Sequence, residues 1–125
     1  MAKQHATKFL ALVEEARKKV KELSIEEVKK KLEAGERFRL IDVREGDEYA
    51  RGHLPGAEPL SKGIIERDIE QAVPDPAAEV VLYCGGGFRS ALAAENLERM
   101  GYQNVWSMWG GWSSWTEAGF PVERK

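Results

Sequence analysis

Cysteine is nearly absent: the 125 residues hold one, Cys84. A single thiol closes no disulfide within the chain, and a lone thiol fits a reducing compartment. Histidine is almost as scarce. His5 and His53 stand far from each other and from Cys84, so no Cys/His cluster has metal-ligand spacing. Neither a metal nor an organic cofactor is expected.

Long apolar runs are missing too. The N-terminal "FLALV" follows Lys3 and Lys8 but spans five residues before Glu14 and Glu15 end it. An export signal needs roughly 7–15 apolar residues and a membrane span roughly 20. A soluble, cytoplasmic protein is the expectation. An excess of charge is also lacking, since 19 basic residues face 21 acidic ones for a net charge of -2. That balance gives no reason to expect nucleic acid or an anionic membrane as partner. Internal repeats and low-complexity segments do not occur.

What remains suits one α/β domain. Hydrophobic residues make up 42% of the chain, enough for a single core. Over 4–23, Phe9, Val13, Ala16, Val20 and Leu23 alternate spacings of four and three, which predicts a helix with one apolar stripe. Ser24 with Glu27 three residues on has the capping-box pattern, Ile25, Val28 and Leu32 carry the next helix, and Gly35 ends it. "RFRLIDV" at 37–43 reads as a strand. "EGDEYARGHLPGAEPL" reads as a loop with a short helical turn near Asp47–Ala50. A helix is expected over 62–72, where Ile64, Ile65, Ile69 and Val73 recur around it. "EVVLYC" at 79–84 is apolar throughout after Glu79, as a strand buried on both faces of a parallel sheet would be. "RSALAAENLERMG" follows as a helix ending at Gly101, "NVWSM" as a strand, and "GGWSSWTEAGF" as a turn with a last short helix. Alternating strands and helices place the chain in the α/β class with a largely parallel sheet.

Cys84 therefore stands at the carboxyl end of a strand, where ligands bind in open α/β sheets. Gly85, Gly86 and Gly87 follow it, then Phe88, Arg89 and Ser90 open a helix. Glycines let backbone N–H groups turn inward into an anion-binding concavity, and they tolerate the left-handed geometry a closed loop needs. The helix directs the positive end of its dipole at the loop. Arg89 adds a permanent cation. These features favour a thiolate, so Cys84 is the expected nucleophile, activated without a histidine base. An inert buried cysteine and a plain strand-to-helix turn are the bland alternatives. Three glycines followed at once by an aromatic and an arginine exceed what a turn needs. Cysteine-dependent phosphatases use Cys-x5-Arg around a tetrahedral phosphoryl group. Here the spacing from Cys84 to Arg89 is Cys-x4-Arg, a tighter ring that suits a single added sulfur atom.

Three segments resemble the rhodanese family of sulfurtransferases, in order and over roughly residues 24 to 122: "IDVREGDEYARGHLPGA" at 41–57, "LYCGGGFRSALAA" from residue 82, and "GYQNVWSMWGGWSSWTEAGFPVE" from residue 101. The resemblance implies a five-stranded, largely parallel sheet with helices on both faces over 24–125, with 1–23 as a helical extension outside it. It also implies a Cys84 persulfide as intermediate, with 85 to 89 as its cradle and Arg89 as anion ligand. Asp42 and Arg44 match the family's buried polar pair and, with Ser90, are expected to support the site. Expected partners are a small sulfur donor, thiosulfate or a persulfide, and a cyanide, small-thiol or protein-thiol acceptor. A sulfur-carrier or protein-binding module with little small-molecule turnover is the alternative. Thiosulfate-active members often carry basic residues where this chain has Gly85 and Gly86, so a persulfide is the favoured donor.

Other features have plainer readings. His53 in "GHLPG" is expected to brace the loop backbone rather than act as a base. Trp106, Trp109, Trp112 and Trp115 recur every third residue without interleaved Lys or Arg, so they are read as core and pocket rim, not a nucleic-acid platform. The first helix is expected to dock on its own domain. Glu66, Arg67 and Asp68 are read as a solvated face, though this segment could line the entrance to the site.

Overall fold

A computed structural model of the protein describes residues 5–124. Its elements run α1 (Thr7–Lys19), β1 (Lys21–Leu23), α2 (Ile25–Glu33), β2 (Arg39–Asp42), α3 (Gly46–Arg51), β3 (Glu58–Pro59), α4 (Ile65–Ala72), β4 (Val80–Tyr83), α5 (Phe88–Arg99), β5 (Val105–Met108) and α6 (Gly111–Glu117). The strands form one five-stranded sheet in the order β1-β5-β4-β2-β3, with every pairing parallel. This is the expected α/β architecture.

β4 lies at the centre because its four residues, Val80 to Tyr83, are all fully buried and apolar enough to be covered on both faces. Its side chains alternate. Val80 and Leu82 join Ile41, Ile65, Ile69 and Leu97 under α4 and α5. Val81 and Tyr83 join Val28, Leu54, Met108 and Trp115 on the opposite face, under α2 and α6. α1 packs against α5 and buries Val13 and Ala16. The capping box at α2 is present: Ser24 Oγ accepts from the Glu27 N–H at 3.0 Å, and Glu27 Oε1 accepts from the Ser24 N–H at 2.8 Å. Such a cap stabilises a helix by about 1 kcal/mol.

Two local expectations are corrected. The helix expected over 4–23 ends at Lys19, and Lys21–Leu23 form the edge strand β1 beside β5. Residue 4 lies outside the described residues. Val20 turns extended (φ -102°, ψ 158°) and packs toward the α4/α5 face, whereas Leu23 packs on the opposite face. The two residues that completed the helical stripe therefore serve opposite sides of the sheet. The second correction is β3, a two-residue edge strand in a stretch read as loop. Among the described residues, no helix is long and apolar enough to cross a membrane.

The chain leaves β2 for β3 on one side and later leaves β4 for β5 on the other. The order thus reverses between β2 and β4. The carboxyl ends of these two strands carry Asp42 with Arg44, and Cys84, at the kind of switch point where such sheets bind ligands.

Candidate active site

The loop after β4 is held from outside by the start of α6. The carbonyl oxygens of Cys84, Gly85 and Gly86 accept from the N–H groups of Trp112 at 2.8 Å, Ser113 at 2.9 Å and Gly110 at 3.2 Å. With the carbonyls committed there, the N–H side of the loop is left to the thiol and the cleft. Cys84 Sγ accepts from the Gly87 N–H at 3.1 Å and the Ser90 N–H at 3.4 Å. The N–H groups of Gly85, Gly86, Phe88 and Arg89 meet no acceptor among the described residues. They ring the N-terminus of α5, where the helix dipole adds positive potential.

Only one of the loop glycines is required by its backbone. Gly87 has φ +105°, and a Cβ there would lie 2.7 Å from Trp109 Cε3. Gly111, across the loop, is equally constrained, because a Cβ would collide with the Cys84 carbonyl. Gly85 and Gly86 are not in the left-handed region, and a Cβ at either would make ordinary 3.4 Å contacts with Arg89 and Phe88 respectively. Their absent side chains leave the mouth of the site open.

Beneath the thiol lies a pair of hydroxyls. Cys84 Sγ is 3.6 Å from Ser90 Oγ, which is 2.8 Å from Ser107 Oγ, and both serines are fully buried. A thiol can donate to Ser90, which then donates to Ser107. A thiolate can be served by the same pair turned round, with Ser107 donating to Ser90 and Ser90 to sulfur. Ser107 was not anticipated; its one sequence signal is a small polar residue inside the apolar run of β5.

Arg89 is not a free cation. Its Nη1 lies 3.4 Å from Glu48 Oε1, with both side chains about one third exposed. Glu48 sits on α3 and also accepts from the Glu45 N–H at 2.9 Å. Burial pushes the Glu48 carboxyl up, but the Glu45 amide and Arg89 together outweigh it and hold the group below the usual carboxylate range. Glu48 is the second residue that sequence reading missed.

Asp42 and Arg44 form a buried pair beside the cleft rather than in it. Arg44 Nη2 donates to Asp42 Oδ2 at 2.8 Å and to the Gly52 carbonyl at 2.6 Å, and its guanidinium lies 4.5 Å from the Trp112 ring. Burial disfavours the charge on Arg44, yet the bonds and field of Asp42 prevail and raise its pKa. Tyr83 donates to Asp42 Oδ2 at 2.7 Å and accepts from the Leu54 N–H at 3.0 Å. Burial and the Asp42 charge drive the Tyr83 hydroxyl far above its ordinary value, so it remains a donor. The pair thus ties β2 to Tyr83 and Trp112, the two residues whose backbones carry and clamp Cys84.

Cys84, Gly85, Gly86, Phe88 and Arg89 line an open cleft of about 1080 Å³, and Trp109 supplies one wall. His53 is not among its lining residues. It is buried, stacked on Tyr49 at 3.9 Å, with Nδ1 3.2 Å from the Tyr49 carbonyl oxygen and Nε2 3.3 Å from Glu123. Trp115 is core and Trp112 underlies Arg44. Lys62 and the segment Glu66, Arg67 and Asp68 do not line the cleft; Arg67 pairs with Asp68 at 2.7 Å and Glu66 with Asn96 at 2.7 Å. Among the described residues, no group of three His, Cys, Asp or Glu side chains could hold a metal ion.

Comparison with known proteins agrees with this fold. The thiosulfate sulfurtransferase PspE of Escherichia coli is 38% identical over 65 residues, 52% of this chain and 62% of its own length. YrkF of Bacillus subtilis, provisionally named a sulfur carrier protein, is 30% identical over 86 residues, 69% of this chain but only 45% of its own length. The chain thus spans less than two thirds of either relative. A solved structure from Rhodopseudomonas palustris, described as a protein of unknown function and possible tyrosine phosphatase, superposes with a TM-score of 0.83 at 29% identity, covering 98% of this chain and 99% of that one. The family model for the rhodanese-like domain matches residues 24–118, which include β2, the Cys84 loop and α6, and the chain belongs to that family.

Proposed function

We propose that the protein is a sulfurtransferase that carries sulfane sulfur on Cys84. The observation that supports this most is the loop itself. One thiol sits against two N–H donors. Around it, four more N–H groups meet no acceptor among the described residues, and every nearby loop carbonyl is turned away.

The Cys84 thiolate attacks the outer sulfur of a donor, thiosulfate or a persulfide. The Sγ–S bond forms, the donor's S–S bond breaks, and its electron pair leaves with the rest of the donor. The added sulfur carries negative charge, and the N–H groups of the cradle hold it as an oxyanion hole holds oxygen. A thiophilic acceptor, such as cyanide, a small thiol or a protein thiol, then attacks that sulfur and releases the Cys84 thiolate. This is covalent, two-step catalysis. The chain has no second cysteine, so the acceptor comes from outside.

A carrier that hands sulfur to one partner protein is the second reading, and the name of YrkF favours keeping it. A phosphatase reading is disfavoured by the short Cys-x4-Arg ring and by Glu48 against Arg89. Mass spectrometry after exposure to thiosulfate or glutathione persulfide separates these outcomes. An adduct of about 32 Da on Cys84 with many turnovers supports the enzyme. The adduct without turnover supports the carrier, and no adduct with either donor rejects both.

A further inference from the structure

Four aromatic rings meet on one side of the cleft, and two of them come from outside the segment that the family model matches. His5 packs edge-on against Phe88 of the loop with centroids 4.6 Å apart, and Phe9 of α1 lies 6.2 Å from the same ring. Phe88 in turn meets Trp109 at 5.6 Å. All four line the same cleft as Cys84. None is fully buried, so the cluster presents ring surface to the cleft rather than filling a core. α1 is itself fixed by Val13 and Ala16, both buried, and by Arg17, whose guanidinium stacks 3.4 Å over Trp109.

The charged lining points the same way. Among the described residues of the lining, Glu48 and Glu117 are two carboxylates set against one guanidinium, Arg89, and the other titratable side chains are His5 and the Cys84 thiol. Arg17 offers no free charge, because Glu22 holds it at 2.9 Å and 3.1 Å. Beyond the backbone cradle, a small inorganic dianion finds one side-chain cation among the described lining residues, and Glu48 already shares it. A donor with an apolar or aromatic group finds a wall of rings, which bind such groups by area and by edge-to-face contact.

From this we infer that His5, Phe9, Phe88 and Trp109 form a subsite for the organic group of the sulfur donor. The donor class is then an organic persulfide or thiosulfonate bearing an apolar or aromatic substituent. The inference rests on the sulfurtransferase reading of Cys84. With an arenethiosulfonate, the Cys84 thiolate attacks the outer sulfur, the Sγ–S bond forms, and the electron pair of the broken S–S bond leaves with the arenesulfinate. With a persulfide R–S–SH the same pair leaves with the thiolate R–S⁻. His5 and Phe9 are specificity residues and take no part in the bond changes.

The test compares benzenethiosulfonate with methanethiosulfonate, two monoanions that transfer the same sulfur, using cyanide as acceptor. The ratio of their kcat/KM values is read for wild type, Phe9→Ala and Phe9→Tyr. The inference expects the ratio to fall about fivefold or more in Phe9→Ala and to be retained in Phe9→Tyr. If both donors load Cys84 and the ratio is unchanged in Phe9→Ala, the aromatic wall is only structural and the inference is overturned. If wild-type Cys84 takes sulfur from neither donor, the sulfurtransferase reading falls first and the subsite with it. Circular dichroism confirms the fold of each variant. Should Phe9→Ala not fold, the ratio is read on His5→Ala, whose ring precedes α1. There too a fall supports the subsite and an unchanged ratio overturns it.

Discussion

Glu48 Oε1 and Arg89 Nη1 lie 3.4 Å apart, across 41 residues of sequence, at the rim of the cleft that holds Cys84. The arginine that sequence reading assigned to an incoming anion is already shared with a carboxylate. Glu48→Gln should release it. Thiosulfate turnover should then improve by about threefold to fivefold in kcat/KM, the equivalent of the roughly 1 kcal/mol such a part-exposed pair is worth. The gain should shrink at high salt. An unchanged kcat/KM would show that Arg89 does not face the donor.

The same carboxyl sets a pH dependence. Glu48 is held below its ordinary range in the folded protein. A group depressed on folding stabilises above its unfolded pKa and loses that contribution as pH falls through the folded value. Wild type should therefore melt higher than Glu48→Gln at neutral pH, and the difference should close as the solution is acidified below the usual carboxylate range. Thermal melts of both proteins at several pH values check this.

Gly86 and Gly87 should respond in opposite ways to a side chain. Gly86 has an ordinary backbone and only a 3.4 Å contact with the Phe88 ring awaiting a Cβ. Gly86→Lys should fold and should raise kcat/KM for thiosulfate about fivefold by adding a cation at the mouth. Gly87→Ala meets Trp109 at 2.7 Å with φ +105°. It should cost about 1–3 kcal/mol and slow transfer with every donor. Denaturant melts and steady-state rates read both.

Cys84→Ser should abolish sulfur transfer while keeping the fold, because the alcohol is not ionised and fits the same space. Its stability should stay within about 1 kcal/mol of wild type. Retained transfer would mean that sulfur is not carried on this residue.

Asp42→Ala should be the most damaging of the single changes. It strips a 4% exposed arginine of its counter-ion and Tyr83 of its acceptor. Removing one partner of a buried pair costs about 3–5 kcal/mol. Because Tyr83 precedes Cys84 and Trp112 clamps its carbonyl, transfer should fall as well. Chemical denaturation alongside persulfide loading measures the two effects.

The layout of the loop was legible because it is written in adjacent residues: an apolar run, one thiol, three glycines and an arginine stand in order from 80 to 89. The central strand was legible for the same reason. What escaped was relational. Glu48 looks like any helix carboxylate until α3 carries it to Arg89. Lys21–Leu23 form a strand only because β5 offers an edge, and the spacing of Val20 and Leu23 fits a helix equally well. Gly85, Gly86 and Gly87 are identical letters, yet only Gly87 is held by its own dihedral angle. Ser107 is a polar residue in a core strand whose purpose shows only from the sulfur above it.

The loop is also closed from far downstream. Its three carbonyls are bound by Gly110, Trp112 and Ser113, the N-cap and first turn of α6. A chain that has left the ribosome only as far as Arg99 already holds the thiol, the glycines and the arginine, yet none of those three donors. Synthesis therefore delivers the sulfur atom first and its clamp later, and Cys84 acquires its finished surroundings only when β5 and α6 have emerged.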